Sequence, residues 1–465
     1  MTSPALTGKE DPIAAIITPY GRGGVGIIRM SGPGVRHMMG KIFKPEKPGR
    51  RLEPRKQTLG RITLPRSGSE IDQSLVTYFK KPRSYTGEDV IEIACHGSPV
   101  VLNAILETLA EMGARPAEPG EFTYRAYLNG RMDLLQAEAV NDIISAKTLF
   151  QTEIAYKQLD GALSSFCHDL METLLDLIAR AEASIDFSEE NYRFFQENEL
   201  VQSLKRTSNK ISSILSTYKT GKLIKEGIVL AIIGRPNVGK SSLFNKILDD
   251  KRAIVTHIPG TTRDYLEDTI QMQGIPVILV DTAGLRQGRT APEKEAVEKT
   301  KNIMGKARLI LVMLDSSRHL GLKDREILKH TEKRNRLVLI NKVDLPGKLN
   351  PSILNRLVNP EEMMEISLRT GRGVKRLKER IFQAILGHEI LEKNMAYLTT
   401  LRQKTALAEA GRSIQKAIRT ARKGLSEEFI LLDLHQARSR IGELTGVTTV
   451  EDIYDRIFSS FCIGK

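Results

Sequence analysis

The 465-residue sequence predicts a multidomain chain: a P-loop α/β domain inserted into a helical domain, with a smaller α+β domain ahead of both. Three observations predict it. Four apolar runs, IVLAIIG, IPVILVD, LILVML and RLVLIN, alternate with helical stretches, as buried parallel strands joined by crossovers do. Segments of helical periodicity lie on both sides of that block. The region before them mixes short β-rich runs with glycine turns. A chain of this length exceeds one ordinary core, and two to four domains accommodate it.

The first region carries DPIAAIITPYGRGGVGIIRMSG, SLVTYFKKP and DVIEIACHG, so residues 1–125 read as the α+β domain. From Met132 the texture changes. Leu163, Phe166, Cys167, Leu170, Met171, Leu174, Ile178 and Ile185 recur at helical spacing, and residues 126–222 read as the first part of the helical domain. The buried-strand runs then define an α/β domain over 223–387. Beyond it, RQKTALAEAGRSIQKAIRTARKG and FILLDLHQARSRIGELTG return to helix, giving the second part of the helical domain over 388–465.

Lys and Arg outnumber Asp and Glu by 70 to 56, a formal net charge of +14 that favours polyanionic partners such as nucleic acid, although solvated basic faces are common. The opening MTSPALTGKEDP has no apolar signal core, and no later run approaches the roughly 18 apolar residues of a membrane span. A cytoplasmic protein without membrane attachment is expected. Cys95, Cys167 and Cys462 lie far apart, which gives neither a disulfide framework nor a zinc ribbon.

Gly234 to Ser241, GRPNVGKS, fits G-x-x-x-x-G-K-[ST] directly after an apolar strand and before a helix-forming segment. Backbone N–H groups of such a loop close around phosphate, with Asn237, Val238, Gly239, Lys240, Ser241 and Ser242 as the expected contacts. Lys240 supplies charge to the β- and γ-phosphates, and the Ser241 hydroxyl faces Mg²⁺. Downstream, Asp281, Thr282, Ala283 and Gly284 end a strand where a carboxylate can hold the magnesium shell. Between the two motifs, Thr256, His257, Ile258, Pro259, Gly260, Thr261 and Thr262 form a switch-like segment, with Thr262 as a second magnesium ligand. Asn341, Lys342 and Asp344 follow RLVLI. The Asp344 carboxylate can accept two N–H donors of guanine that adenine lacks, and Ser367, Leu368 and Arg369 fit the last base-contacting loop. Alone, NKVD is often an exposed turn; in this order and strand context, the motifs predict a GTPase. Leu285 stands where a Ras-like enzyme has its water-orienting glutamine, and no arginine finger is evident.

GRPNVGKSSL, PGTTRD, DTAGLR and NKVD resemble the TrmE-Era-EngA branch of translation GTPases. GRGGVGIIRMSG, SYTGEDVIEIACHG, PGEFTYRAYLNGRMDLLQAEAVNDII and the closing DRIFSSFCIGK narrow the resemblance to the MnmE/TrmE family over essentially the whole chain. That resemblance implies a Ras-like G domain and a folate-binding-like N-terminal domain that also forms a homodimer. Its folate contacts fall on Arg29, Glu92 and Arg131, with Lys465 approaching; on residue types alone, Arg29 and Glu92 are equally a surface ion pair. The ligand implied is a tetrahydrofolate derivative, the 5,10-methylene form as cofactor and the 5-formyl form as binding analogue.

For hydrolysis the resemblance implies potassium in place of an arginine finger, held by Asn237, Thr256, Ile258 and Thr261, with transient G-domain pairing. Glu293, twelve residues after Asp281, takes the place of the water-setting glutamate, although composition alone makes it a helix-solvating residue. Cys462 in FCIGK is a functional thiol candidate on the resemblance, and a small apolar residue on chemistry alone. His257, Ser98, Ser188 and Leu368 depart from the family pattern without removing a named ligand. The implied activity is modification of the wobble uridine of certain tRNAs to 5-carboxymethylaminomethyl- or aminomethyl-uridine, with a flavin (FAD) partner of the MnmG type in a heterotetramer. A switch GTPase of ribosome assembly is the alternative, against which a whole domain precedes the P-loop and no KH-like module accompanies it.

Overall fold

The structure, a computed structural model, describes residues 11–49, 51–186, 197–248, 267–272, 274–281, 304–305, 307–386, 395–448, 454 and 457–465. The chain divides into two compact units, one of Met1–Asn141, Gln158–Ile211 and Thr405–Lys465, the other of Asp142–Lys157 and Ser212–Lys404.

The first unit holds a seven-stranded sheet of β1 (Ile13–Ile16), β2 (Gly23–Ser31), β3 (Phe43–Pro45), β4 (Thr58–Thr63), β5 (Glu70–Phe79), β6 (Val90–Gly97) and β7 (Arg115–Pro116). Its order is β3-β4-β5-β6-β2-β1-β7, antiparallel except where β7 joins β1. Side chains alternate across a strand. Ile28 and Met30 of β2 and Ile91 and Ile93 of β6 therefore share one buried face, against Val35 and Met39 of α1 (Val35–Ile42) and Ile105 and Leu109 of α2 (Pro99–Glu111). The residues between them, Arg29 and Glu92, face each other across the β2–β6 ladder on the opposite face.

Behind that face, α3 (Glu121–Leu128) buries charge. Arg125 Nη2 donates to Asp11 Oδ1 at 3.0 Å and to Glu121 Oε1 at 3.0 Å, and Arg115 Nη2 donates to the same Glu121 oxygen at 2.6 Å. Mutual pairing is what lets such groups leave water. The remaining helices of the unit include most of α4 (Leu134–Ser145) and all of α6 (Ala162–Asp186). On α6, Leu163, Cys167, Leu170, Leu174 and Ile178 are buried at the helical repeat the sequence shows.

The second unit is built on a six-stranded sheet of β8 (Ile228–Gly234), β9 (Glu267–Met272), β10 (Ile275–Asp281), β11 (Leu309–Asp315), β12 (Arg336–Asn341) and β13 (Met363–Glu365), in the order β13-β12-β11-β8-β10-β9. Every pairing is parallel except β9 with β10. Every residue of β11 is buried, the pattern of a strand covered on both faces. The unit also takes in α5 (Leu149–Leu159), most of whose length it includes, α8 (Tyr218–Glu226), α10 (Leu322–Thr331), α11 (Pro351–Asn355) and α12 (Val374–Leu386). Thr148 Oγ1 donates to the Gly274 carbonyl at 2.6 Å and Gln151 Nε2 to the Ile224 carbonyl at 2.7 Å, both buried. Among the described residues, no helix is long and apolar enough to cross a membrane.

Candidate functional site

Strand β8 lies between β11 and β10, where the chain's crossovers diverge, and its carboxyl end is where open α/β sheets bind ligands. There the chain turns through 234–239 into α9 (Lys240–Leu248). Gly239 has φ +106°, and a Cβ on it would lie 2.5 Å from Asn341 Nδ2, so only glycine lets loop and base motif approach this closely. Lys240 is buried; its Nζ donates to the carbonyls of Gly234 at 3.0 Å and Arg235 at 2.8 Å, which arches the loop around the ammonium. Ser241 and Ser242 open α9, both exposed, and Val238 is packed into the core.

The base motif is tied to the same loop. Asn341 is buried, donating from Nδ2 to the Val238 carbonyl at 2.8 Å and accepting from the Leu368 N–H at 3.2 Å. Lys342 Nζ donates to the Asn237 carbonyl at 2.9 Å and to Asp315 Oδ2 at 2.7 Å. Asn237 (φ 64°) and Lys342 (φ 65°) are two of the three non-glycine residues with positive φ among those described. Left-handed backbone at such residues is strained and gathers at functional sites; here the two are joined by a hydrogen bond. Asp344 Oδ1 accepts from the Ser367 hydroxyl at 2.6 Å, and Oδ2 pairs with Arg369 Nη2 at 2.7 Å. The Ser367 hydrogen bond, aided by Arg369, holds its carboxyl below the usual aspartate range. An ionised carboxylate is an acceptor-only group, the chemistry that paired N–H donors such as those of guanine require.

The backbone of β10 ends at Asp281, level with Ile232 of β8, beside the start of the loop. Thr256, His257, Ile258, Pro259, Gly260, Thr261, Thr262, Thr282, Ala283, Gly284 and Glu293 lie outside the described residues.

Two parts of this site are missed by motif reading. Asp315, at the end of β11 and in register with Asn341, orients Lys342. Burial opposes its ionisation, but hydrogen bonds from Lys342 and Ser317 outweigh that and lower its pKa. Arg235 Nη1 pairs with Asp324 Oδ2 at 3.1 Å and anchors the loop from outside. The only sequence signal for Asp315 is a polar residue at the carboxyl end of LILVML, level with the NKVD strand.

The first unit has a second cluster. Arg29 donates to Glu92 Oε1 from Nε at 2.9 Å and from Nη2 at 2.8 Å, while its Nη1 is buried without a hydrogen-bond partner among the described residues. The guanidinium lies 5.0 Å from the Tyr85 ring centroid and 5.6 Å from that of Phe122. Tyr85 and Phe122 come from SYTGED and PGEFTY and were not singled out by sequence reasoning.

Phe458 and Phe461 pack on Tyr124, Leu134 and Ala137 and bring the FCIGK segment back to this sheet. Ile463 bridges Pro119, and the Phe122 N–H donates to the Lys465 carbonyl at 3.2 Å. Lys465 stands near enough to Arg29 and Glu92 to feel both; burial, reinforced by Arg29, lowers its pKa. Arg29, Glu92 and Lys465 are thus together. Arg131 is exposed, its stem against Gly87, and is not a hydrogen-bond partner of Arg29 or Glu92. Cys462 is exposed.

The profile for the GTP-binding protein TrmE N-terminus matches residues 12–131, and that for the MnmE helical domain matches 134–462. The tRNA modification GTPase MnmE of Aquifex aeolicus is 42% identical over 457 residues, 98% of this chain and 100% of its own length. That of Alkaliphilus metalliredigens is 40% identical over 459 residues, 98% and 99% respectively. Among solved structures, an Aquifex aeolicus Era bound to GDP and AlF4⁻ is 27% identical, covering 40% of this chain and 66% of its own, with a TM-score of 0.26. An N-terminal α+β domain, a helical domain and a Ras-like G domain, joined in one chain whose relatives match from end to end, make this protein a GTP-hydrolysing member of the MnmE family of tRNA modification GTPases.

Proposed function

We propose that the chain modifies the wobble uridine of certain tRNAs through a folate one-carbon unit, with potassium-activated GTP hydrolysis driving the cycle and an MnmG-type flavin protein as partner. The observation that carries the cofactor reading is Arg29. Its buried Nη1 has no acceptor among the described residues, and leaving a donor so costs about 1–3 kcal/mol. An anionic ligand beside Arg29 and Lys465 supplies the acceptor, Glu92 accepts from a pterin-like N–H edge, and Tyr85 and Phe122 offer ring faces. Bound folate carries the carbon to be transferred; the chain's residues bind and orient it.

In the G domain, Lys240 supports the β- and γ-phosphates. The Ser241 and Thr262 hydroxyls, with Asp281, are a hard-oxygen set suited to Mg²⁺. Asn237, Thr256, Ile258 and Thr261 hold potassium, and Glu293 orients the attacking water, since Leu285 cannot. Two chains pair through their N-terminal domains, with the G domains meeting during turnover. Cys462, exposed within FCIGK, is the candidate thiol of this reaction.

Titration with 5-formyltetrahydrofolate tests the cofactor site. The parent chain gives a saturable signal, and Arg29→Ala weakens binding at least tenfold. Equal binding by both returns Arg29 and Glu92 to a plain cross-strand ion pair.

A further inference from the structure

Part of the positive charge of this chain lies in a regular row on one helix. Residues 401–423 hold seven Lys or Arg and one acid, a net +6 out of the chain's +14. Most of this segment is α13 (Leu401–Arg422), and the turn that ends it contains Lys423. Arg412, Lys416, Arg419 and Lys423 are all exposed. At about 100° per residue, their spacing of 4, 3 and 4 puts the four within roughly 60° of one helix face, along about 16 Å of axis.

The lone acid does not cancel them. Glu409 accepts from Arg440 Nε at 3.1 Å, on the neighbouring helix α14 (Glu427–Thr445), as well as from Arg412 at 3.4 Å. Lys416 and Arg419 also face the carboxylate of Asp433, partly buried on α14. On the other flank, Gln415 Nε2 donates to Ser208 Oγ of α7 (Glu197–Ser216) at 2.6 Å, and α7 adds the exposed Lys205 one turn before Ser208.

We propose that this stripe on α13 is a phosphate-backbone contact for tRNA. The inference rests on the tRNA reading above and assigns it a surface. A regular row of cations fits the regular row of charges on a nucleic-acid strand, and backbone contacts position a substrate without reading its sequence. The composition agrees, because aromatics are only 5% of the chain and Trp is absent, so stacking platforms are scarce.

The test measures binding of a tRNA transcript to the full chain, by fluorescence anisotropy between 50 and 200 mM KCl. It compares the parent with Arg412→Gln/Lys416→Gln/Arg419→Gln/Lys423→Gln. Each lost phosphate contact reduces the slope of log K against log salt by nearly one, so the variant shows a slope shallower by about three and at least tenfold weaker binding at 50 mM. An unchanged far-ultraviolet circular dichroism spectrum and thermal midpoint report that it folds. A control removes the same charge from the G domain, Lys323→Gln/Arg325→Gln/Lys329→Gln/Lys333→Gln, and binds like the parent. Equal binding and slope in the stripe variant, or an equal loss in the control, overturns the proposal. So does intact RNA binding with loss of an acidic protein partner. If the parent itself shows no salt-dependent tRNA binding, the tRNA reading falls with it.

Discussion

Asp344 has both carboxylate oxygens engaged by the chain, Oδ1 by Ser367 and Oδ2 by Arg369. Ser367 is itself buried, whereas Arg369 is exposed and its ion pair contributes little. On the proposed reading, guanine would take the place of Arg369 at Oδ2. Asp344→Asn replaces an acceptor by a donor, and competition binding should show the preference for GTP over ATP collapse; an unchanged preference removes Asp344 from the base site. Residue chemistry of this kind is legible in sequence, because NKVD states its donors and acceptors outright. Asp315 is not, because its role depends on a strand register that sets it level with Asn341. Arg29 is legible only as a charge, since the orphaned Nη1 and the two rings around it exist only once SYTGED and PGEFTY fold together.

At the scale of elements, the N-terminal sheet depends on ions it has buried. Glu121 resists ionisation through burial, yet Arg115, the Glu118 N–H and Arg125 lower its pKa, and Arg115 and Arg125 do the same for Asp11. The sign follows from the depressed values: this stability is present above the ordinary carboxylate range near 4 and is lost as pH falls through the lowered pKa values. Circular dichroism should show acid unfolding of the parent below about pH 4. Glu121→Gln should cost about 1–3 kcal/mol at neutral pH, because it removes the buried carboxylate that Arg115 and Arg125 share and leaves them only Asp11 and Glu88. A variant as stable as its parent contradicts the paired network.

The FCIGK segment depends on packing instead. Phe458 is fully buried and meets Tyr124 edge-on at 5.1 Å. Phe458→Ala should release Lys465 and weaken folate binding while leaving GTP turnover intact; retained binding shows that the segment is held by other means. The strands, the α6 stripe and the P-loop turn are all visible in the sequence as periodicity or punctuation. That α5 and α8 belong with the α/β unit is not, because Thr148 and Gln151 find their partners over 70 residues away.

For the whole molecule, hydrolysis should need a monovalent ion and a second G domain. Leu285 offers no water-orienting amide, and an arginine finger, which none of the motifs supplies, is worth about 10³ or more in rate. Turnover should collapse when NaCl replaces KCl at equal ionic strength, and Asn237→Ala should erase the difference between the salts. Glu293→Ala should slow hydrolysis without loss of GTP binding. Identical turnover in both salts rules out the potassium mechanism.

Whether GTP hydrolysis and the Arg29 site serve one reaction is decided in the cell. Mass spectrometry of tRNA nucleosides from a deletion strain should show the 5-carboxymethylaminomethyl- and aminomethyl-uridines gone. The parent gene should restore them, and Arg29→Ala and Asp344→Asn should each fail to. Unaltered wobble uridines in the deletion strain, or full restoration by either variant, would contradict the coupling of the two sites.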